Sequence, residues 1–357
     1  MFYHFFTGES NYSKAFLELL EKIANPAEHL IVFGFARRQN KGIRYSEKLA
    51  GRIKYLTKAG DLLYVVKHLP AADWIYLHYL AYDPSLLYWS LNKSLVQRST
   101  WVVWGNDIYS YYKRNKNLKT RIYEVLRKRI ISNFTEIAAF VEEDYDLIKK
   151  LYTTRAGYIP ILYPIPVNTE HLDAAKATSS SECPVFLIGN SGDPSNLHLE
   201  MIDYLGRFST EEFIVKCPLS YGAGVNYQAK VIEYGRKVLG DKFVPVTEFM
   251  DAEAYARLLA GVDVALMNHR RQQGLGNIMA LMYLGRKVYL RSDISSYYYF
   301  RRNKLEVYAI ETIPTLSYEE LVRPVEDAEH TIPLISELLS FTNYKQLWSH
   351  LLNKHIS

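Results

Sequence analysis

PVFLIGNSGDPSNLHLEMIDYL, residues 184–205, runs a buried-strand pattern straight into Gly189, Asn190, Ser191, Gly192 and Asp193, after which Pro194 or Ser195 opens a helical pattern. Glycines in such a turn let backbone N–H groups approach a ligand, and the start of the helix behind them favours negative charge. The segment is therefore suited to phosphate. The same residues also make an ordinary tight strand-to-helix turn with Asp193 or Ser195 as N-cap. They form neither a Walker loop nor a full Gly-x-Gly-x-x-Gly.

A second turn of this kind lies in HRRQQGLGNIMALMYLG, residues 269–285, where the strand-like VDVALMNH meets two arginines and two glutamines before an apolar helix. Arg270 or Arg271 can neutralise a diphosphate, while the amides of Gln272, Gln273, Gly274 and Gly276 can bind its oxygens or a sugar hydroxyl. The bland alternative is a solvated basic loop capped by glycine. Its place at the end of a strand, where α/β folds bind ligands, favours the functional reading. Two such cradles in one half of the chain imply a single diphosphate ligand.

Outward from these turns, short runs rich in Val, Ile, Tyr and Phe alternate with helical patterns. In the first half the expected strands are HLIVFGF, LLYVVKHL, WIYLHYL, TWVVWG, EIAAFVEE and GYIPIL. The rhythm breaks between Pro164 and Pro184, where AAKATSSSE has neither an apolar stripe nor alternation, and restarts with PVFLIG, EFIVKCPL, KFVPVTEF, VDVALMNH, RKVYLR and VYAI. This predicts an α/β fold of two Rossmann-like lobes with parallel sheets facing across a cleft. The expected lobes are residues 1–170 and 183–357, with the last helix free to pack back on the first lobe. A length of 357 residues fits two domains of roughly 150 to 200 residues.

Composition excludes several classes. Nearly half the residues are hydrophobic, so disorder and fibrous architectures are poor fits. Cys183 and Cys217 cannot build a disulfide scaffold or a metal site, and a reducing compartment is expected. MFYHFFTGES reads as a first strand and turn, with no secretory leader. No segment reaches the roughly 18 to 20 apolar residues needed to span a bilayer. A net charge of +5 favours anionic partners without choosing among them.

WGNDIY (104–109), IGNSGDPSN (188–196), CPLSYG (217–222), DAEAYARLL (251–259) and RQQGLGN (271–277), in this order and spacing, resemble the bacterial TDP-N-acetylfucosamine:lipid II N-acetylfucosaminyltransferases, glycosyltransferase family 56. The resemblance runs over most of the chain, with IGNSGDPSN and RQQGLGN its specific part. It implies a GT-B fold, a TDP-activated 4-acetamido-4,6-dideoxy sugar donor in the C-terminal lobe and a polyprenyl-diphosphate-linked saccharide acceptor in the N-terminal lobe. The place implied is the cytoplasmic face of a bacterial membrane, without a spanning segment. Donor contacts are then expected from residues 189–193 and 271–274 named above, with Asn196, Gly276 and Asn277. Lys216, Tyr221, Glu248 and Phe249 complete the donor set, Tyr221 as a stacking platform and the last two toward the nucleoside.

No Asp-x-Asp flanked by strand signals is present, so no metal and no cofactor are expected; Arg271, with Arg270 or Lys216 and two helix N-termini, would stabilise the departing diphosphate. Proton transfer from the acceptor hydroxyl needs a base in the N-terminal lobe. Glu9 and Asp107 lead the candidates, each near a predicted strand end and a glycine; His78 and Asp83 follow. Gly8, His78, Trp104 and Asn106 are the expected acceptor contacts. The alternatives are an N-cap for Asp107, a surface charge for Glu9 and a core-edge histidine for His78.

Between Ile108 and Ser132, Lys113, Arg114, Lys116, Arg127, Lys128 and Arg129 stand among basic residues beside Tyr109, Tyr111 and Tyr112, with Glu124 the single acid. Such a segment suits an anionic leaflet or is simply a solvated helix face. Other readings are a GT-B transferase or epimerase using another sugar nucleotide, a silent sugar-nucleotide sensor, and a nucleic-acid binder on the basic segment. No nucleic-acid-binding signature supports the last.

Overall fold

The computed structural model describes residues 1–34, 44–113, 117–165, 168–178, 182–222 and 224–356. The chain divides into two compact units, Met1–Ile165 with Ser340–Ser357, and Pro166–Leu339. Unit 1 contains β1 (Phe2–Phe6), α1 (Asn11–Ile23), β2 (His29–Phe33), α2 (Glu47–Ala50), β3 (Ile53–Tyr55), α3 (Ala59–His68), β4 (Trp74–His78), α4 (Ser85–Leu91), α5 (Lys93–Gln97), β5 (Ser99–Val102), α6 (Asn106–Tyr109), α7 (Leu118–Ile131), β6 (Glu136–Ala139), α8 (Glu142–Leu151) and β7 (Gly157–Pro160). Among the described residues its sheet is parallel, in the order β3-β2-β1-β4-β5-β6-β7.

Strands such as FYHFF and HLIVF are apolar on both faces because helices cover both. Tyr3, Leu30, Ile75 and Trp101 pack with residues of α3, α4, α7 and α8 on one face. On the other face His4, Phe6 and His78 meet Phe16 of α1. The last helix, α17 (Phe341–Asn353), belongs to this face: the Trp348 ring lies 4.4 Å from Phe16, and its indole N–H donates to the Leu162 carbonyl at 2.9 Å. Beyond it, His355 stacks on Trp74 with ring centres 3.6 Å apart.

One expected strand is a helix. LLYVVKHL lies mainly in α3, where Asp61 accepts from the backbone N–H groups of Thr57 and Lys58 and so closes the helix start. Its β-branched and aromatic content resembles a buried strand, yet Leu63 is 69% exposed and Val65 faces the core.

Unit 2 contains α9 (Thr169–Thr178), β8 (Val185–Ile188), α10 (His198–Gly206), β9 (Ile214–Pro218), α11 (Val225–Leu239), β10 (Phe243–Val246), α12 (Ala252–Ala260), β11 (Val264–Met267), α13 (Leu275–Tyr283), β12 (Lys287–Leu290), α14 (Ser295–Arg302), β13 (Tyr308–Ala309), α15 (Tyr318–Val322) and α16 (Ala328–Leu338). Its sheet, again parallel among the described residues, runs β10-β9-β8-β11-β12-β13. In both units the chain builds outward from a central strand and then returns to that strand's other side. The reversal opens a crevice at the carboxyl ends of β1 and β4 in unit 1, and of β8 and β11 in unit 2.

Candidate active site

In unit 2 the two glycine turns meet at this crevice. Gly189 leaves β8 with φ +69° and Gly274 precedes α13 with φ +65°, values a side chain resists. The turns are tied together by side chains: Ser195 Oγ donates to Gln273 Oε1 at 2.9 Å, and Gln273 Nε2 donates to Asn190 Oδ1 at 2.9 Å. A Cβ on Gly274 would lie 3.0 Å from Cγ of Asn190, so the second turn needs glycine to close on the first. The loop after β9 covers them from the side. Gly192 N–H donates to the Tyr221 carbonyl at 2.8 Å, and the Tyr221 hydroxyl donates to the Asn190 carbonyl at 3.1 Å.

The N-cap of α13 is Gly274, which brings no side chain to the first-turn amides of Leu275, Gly276 and Asn277. First-turn donors have no acceptor within their own helix, so this end is open to an anion. Arg271 stands beside it, its Nη2 3.6 Å from Asp193 Oδ2. The first turn differs from expectation. Pro194–Asn196 is a short 3-10 turn capped by Asp193, whose Oδ1 accepts from Ser195 N–H at 2.8 Å, and Leu197 at φ +52° separates it from α10. The side chain of Asp193 therefore occupies the start of the short 3-10 turn, while α10 begins only after Leu197.

Asn190, Ser191 and Asn196 are buried and build the cradle from within. The Asn196 amide donates to the Ser191 and Asp193 carbonyls at 2.9 and 3.1 Å. Beneath them lies His198, a residue missed in the sequence. One ring nitrogen sits 3.0 Å from the Ser191 carbonyl, which only accepts, so the other accepts from the Tyr227 hydroxyl at 3.1 Å. Burial lowers this imidazole to about 4 and keeps it neutral. At the end of β11 the buried Asn268 donates to Glu200 Oε2 at 3.0 Å. Asn-His after the apolar VDVALM, at a strand end beside the crevice, was the available signal.

The other expected donor residues disperse. Lys216 belongs to β9, but its ammonium lies beside Gly261 where α12 ends, just ahead of β11 and so toward the amino ends of the strands. A lysine stem is long enough to carry its charge away from the ligand end of the sheet, and Lys216 leaves the cradle. Glu248 and Phe249 follow β10 and are exposed, with no role fixed by contacts within the unit. Gln272 is buried at the second turn.

In unit 1 a cavity of about 210 Å³ sits at the corresponding crevice, lined by Phe6, Thr7, Gly8, Glu9, Ser10, His78, Tyr79 and Trp104. Four of the expected residues, Gly8, Glu9, His78 and Trp104, are thus brought together. Glu9 Oε1 accepts from the Tyr55 hydroxyl at 2.6 Å. Tyr79 has φ +89°, an uncommon conformation for a bulky residue, and its hydroxyl accepts from the Asn106 amide at 3.0 Å. Asn106 therefore shapes the wall through Tyr79. His78 joins a buried chain: Tyr163 hydroxyl, His78, His4 and His29, with both histidine-to-histidine separations 3.0 Å. Burial holds His4 and His78 well below the ordinary imidazole value, so the chain is neutral.

Asp107 does not line this cavity. It is fully buried, and its carboxylate accepts from Trp101 Nε1 at 2.8 Å and from the backbone N–H groups of Trp104 and Leu80 at 3.1 and 3.3 Å. Burial raises its pKa, against the pull of nearby Arg127. A carboxylate enclosed by its own donors cannot reach an acceptor hydroxyl, so its role is to hold the loop after β5. Asp83 lies just ahead of α4, its carboxylate accepting from Ser85 N–H at 2.8 Å.

Arg127 is the matching correction in the basic segment. Its side chain is fully buried, donating to the Leu80 and Asp107 carbonyls and lying 3.9 Å from Glu124. It is no part of a surface. Lys128 and Arg129 are exposed on α7; Lys113 ends a 3-10 turn, and Arg114 and Lys116 lie outside the described residues.

Among the described residues no helix is long and apolar enough to cross a membrane, and no three His, Cys, Asp or Glu side chains are grouped to hold a metal ion. Solved structures share the two-unit architecture. Sucrose-phosphate synthase from Thermosynechococcus elongatus superposes with a TM-score of 0.68 at 11% identity, over 99% of this chain and 98% of that one. HepE of Anabaena, solved with UDP-glucose, gives 0.64 at 15% identity over 99% of each chain. WaaG, a glycosyltransferase of lipopolysaccharide biosynthesis, gives 0.60 at 11% identity over 98% of this chain and 95% of that one. At such identities the likeness speaks to fold, and the fold is GT-B. The family model described as 4-alpha-L-fucosyltransferase, glycosyl transferase group 56, matches residues 58–355, and the chain therefore belongs to this family of glycosyltransferases.

Proposed function

We propose that this glycosyltransferase moves a 4-acetamido-4,6-dideoxyhexose from a TDP-sugar to a polyprenyl-diphosphate-linked saccharide at the cytoplasmic face of a bacterial membrane, without a bridging metal ion. One observation carries the donor half: the uncapped first turn of α13 stands beside Arg271 on a cradle whose two turns are joined through Gln273. Those groups supply the charge and the N–H donors that a departing nucleoside diphosphate needs. HepE, with the same fold, was solved with UDP-glucose, which supports a sugar nucleotide as ligand.

Unit 1 supplies the acceptor half. In this reading Glu9 takes the proton of the acceptor hydroxyl as its oxygen bonds to the anomeric carbon, and the bond to the diphosphate breaks with its electrons leaving on the phosphate oxygen. Tyr55 fixes the carboxylate. The TDP base, the deoxy-amino sugar and the lipid carrier are carried over from the family resemblance and are tested together. The protein is incubated with TDP-, UDP- and GDP-sugars and a synthetic polyprenyl-diphosphate saccharide, and products are identified by mass. A product gaining one acetamido-dideoxyhexose from the TDP donor alone is expected; transfer from UDP- or GDP-sugars in its place overturns the donor assignment.

A further inference from the structure

On α7 apolar residues face both ways: Ile130 and Ile131 are buried in the core of unit 1, and a second apolar line faces outward. The face toward the core carries the ionic pair Arg127 and Glu124, both buried, whereas Leu118, Ile122 and Val125 are 73, 52 and 67% exposed. Their spacing of four and then three residues puts them on one line along the outward face, which Arg129 continues. Arg121 and Lys128 flank this line on one side and Lys119 on the other, all exposed. Packed beside α7 is α4, which exposes Leu87 and Leu91, one helical turn apart. Every exposed charge on α4, α5 and α7 is positive, because their single acid, Glu124, is buried.

We propose that this outward face of α4 and α7 docks on an anionic lipid leaflet, with the leucine, isoleucine and valine side chains entering the acyl boundary and the flanking lysines and arginines meeting lipid phosphates. A contiguous exposed apolar line of this kind marks an interaction surface. A line bordered on both sides by cations fits a surface that is apolar below and negative above. A second copy of the same face would set like charges against each other, and nucleic acid offers the apolar line nothing. The proposal deepens the lipid-acceptor reading and rests on it only for its use.

Flotation of the full chain with phosphatidylcholine vesicles, with and without phosphatidylglycerol, tests it. Wild type is expected to float with the anionic vesicles and to stay behind with the neutral ones. Combining Leu118→Gln, Ile122→Gln and Val125→Gln, at positions too exposed to disturb the core, is expected to weaken binding at least tenfold with an unchanged melting temperature. The pair Lys128→Glu and Arg129→Glu should weaken it in a salt-sensitive way. Flotation of the triple variant at wild-type level, failure of wild type to bind anionic vesicles, or a dimer that the triple variant abolishes overturns the proposal. Transfer to a short-chain, water-soluble acceptor should be unaffected in the triple variant. Loss of that transfer in wild type counts against the proposed function and leaves the docking result standing.

Discussion

Glu9 and Asp107 look alike in the sequence, each an acid close to a glycine near a strand end, and the structure gives them opposite work. Glu9 lines the unit 1 cavity with Tyr55 bound to it, so Glu9→Gln should lower turnover by about 10²- to 10⁴-fold while donor binding by calorimetry stays at wild-type level. An unchanged turnover removes Glu9 as the base. Asp107→Asn should act on folding. It disturbs an acceptor of three N–H donors in a dry site, a change of about 1–3 kcal/mol visible as a lower melting temperature, with turnover per folded molecule retained. What hid Asp107 was distance along the chain: WGND reads as a helix start, and the arginine that encloses it comes twenty residues later inside a basic run. Glu9 was legible because a turn after the first strand offers few other places for a carboxylate to point.

Among elements, the two glycine turns were the most legible, since glycine and a helix start after an apolar strand have few other uses. Their mutual contact was not, because it depends on Gln273 and Asn190 meeting across different strands. Gly274→Ala should test that contact. The left-handed backbone costs a side chain about 1 kcal/mol, and the new Cβ would press on Asn190, so nucleoside diphosphate affinity should fall tenfold or more. Affinity equal to wild type would mean that the closed turn is not the binding element. The α3 segment was misjudged for a related reason: LLYVVKH has strand-like side chains, and only the Asp61 cap decides for helix. Likewise the apolar line of α7 was masked by the lysines and arginines between its members.

For the molecule as a whole, several histidines are held neutral in the dark of the two cores. Burial, with the nearby amino terminus and Arg52, lowers His29 to about 4, and burial lowers His198 and His269 to about 4; His4 and His78 lie well below 6.5 as well. The unfolded chain takes up these protons first, so stability is full above about pH 6.5 and falls as pH drops toward 4. Each such group contributes up to about 1.4 kcal/mol per pH unit in that window. Urea unfolding should show a marked loss between pH 7 and 5; a flat profile would mean that these imidazoles are already charged in the fold. The two-unit plan was legible from rhythm alone, and the last helix was expected to be free to pack back on the first lobe; the contacts that hold α17 there were not legible, because Trp348 and His355 find their partners far back along the chain.

Transfer as proposed requires the cradle of unit 2 to hold the diphosphate of a sugar nucleotide, and a crystal structure with thymidine diphosphate bound measures this directly. The phosphates are expected within hydrogen-bond reach of the Leu275, Gly276 and Asn277 amides, with Arg271 turned from Asp193 onto them. Phosphates seated elsewhere, with the Arg271–Asp193 pair intact, would contradict it.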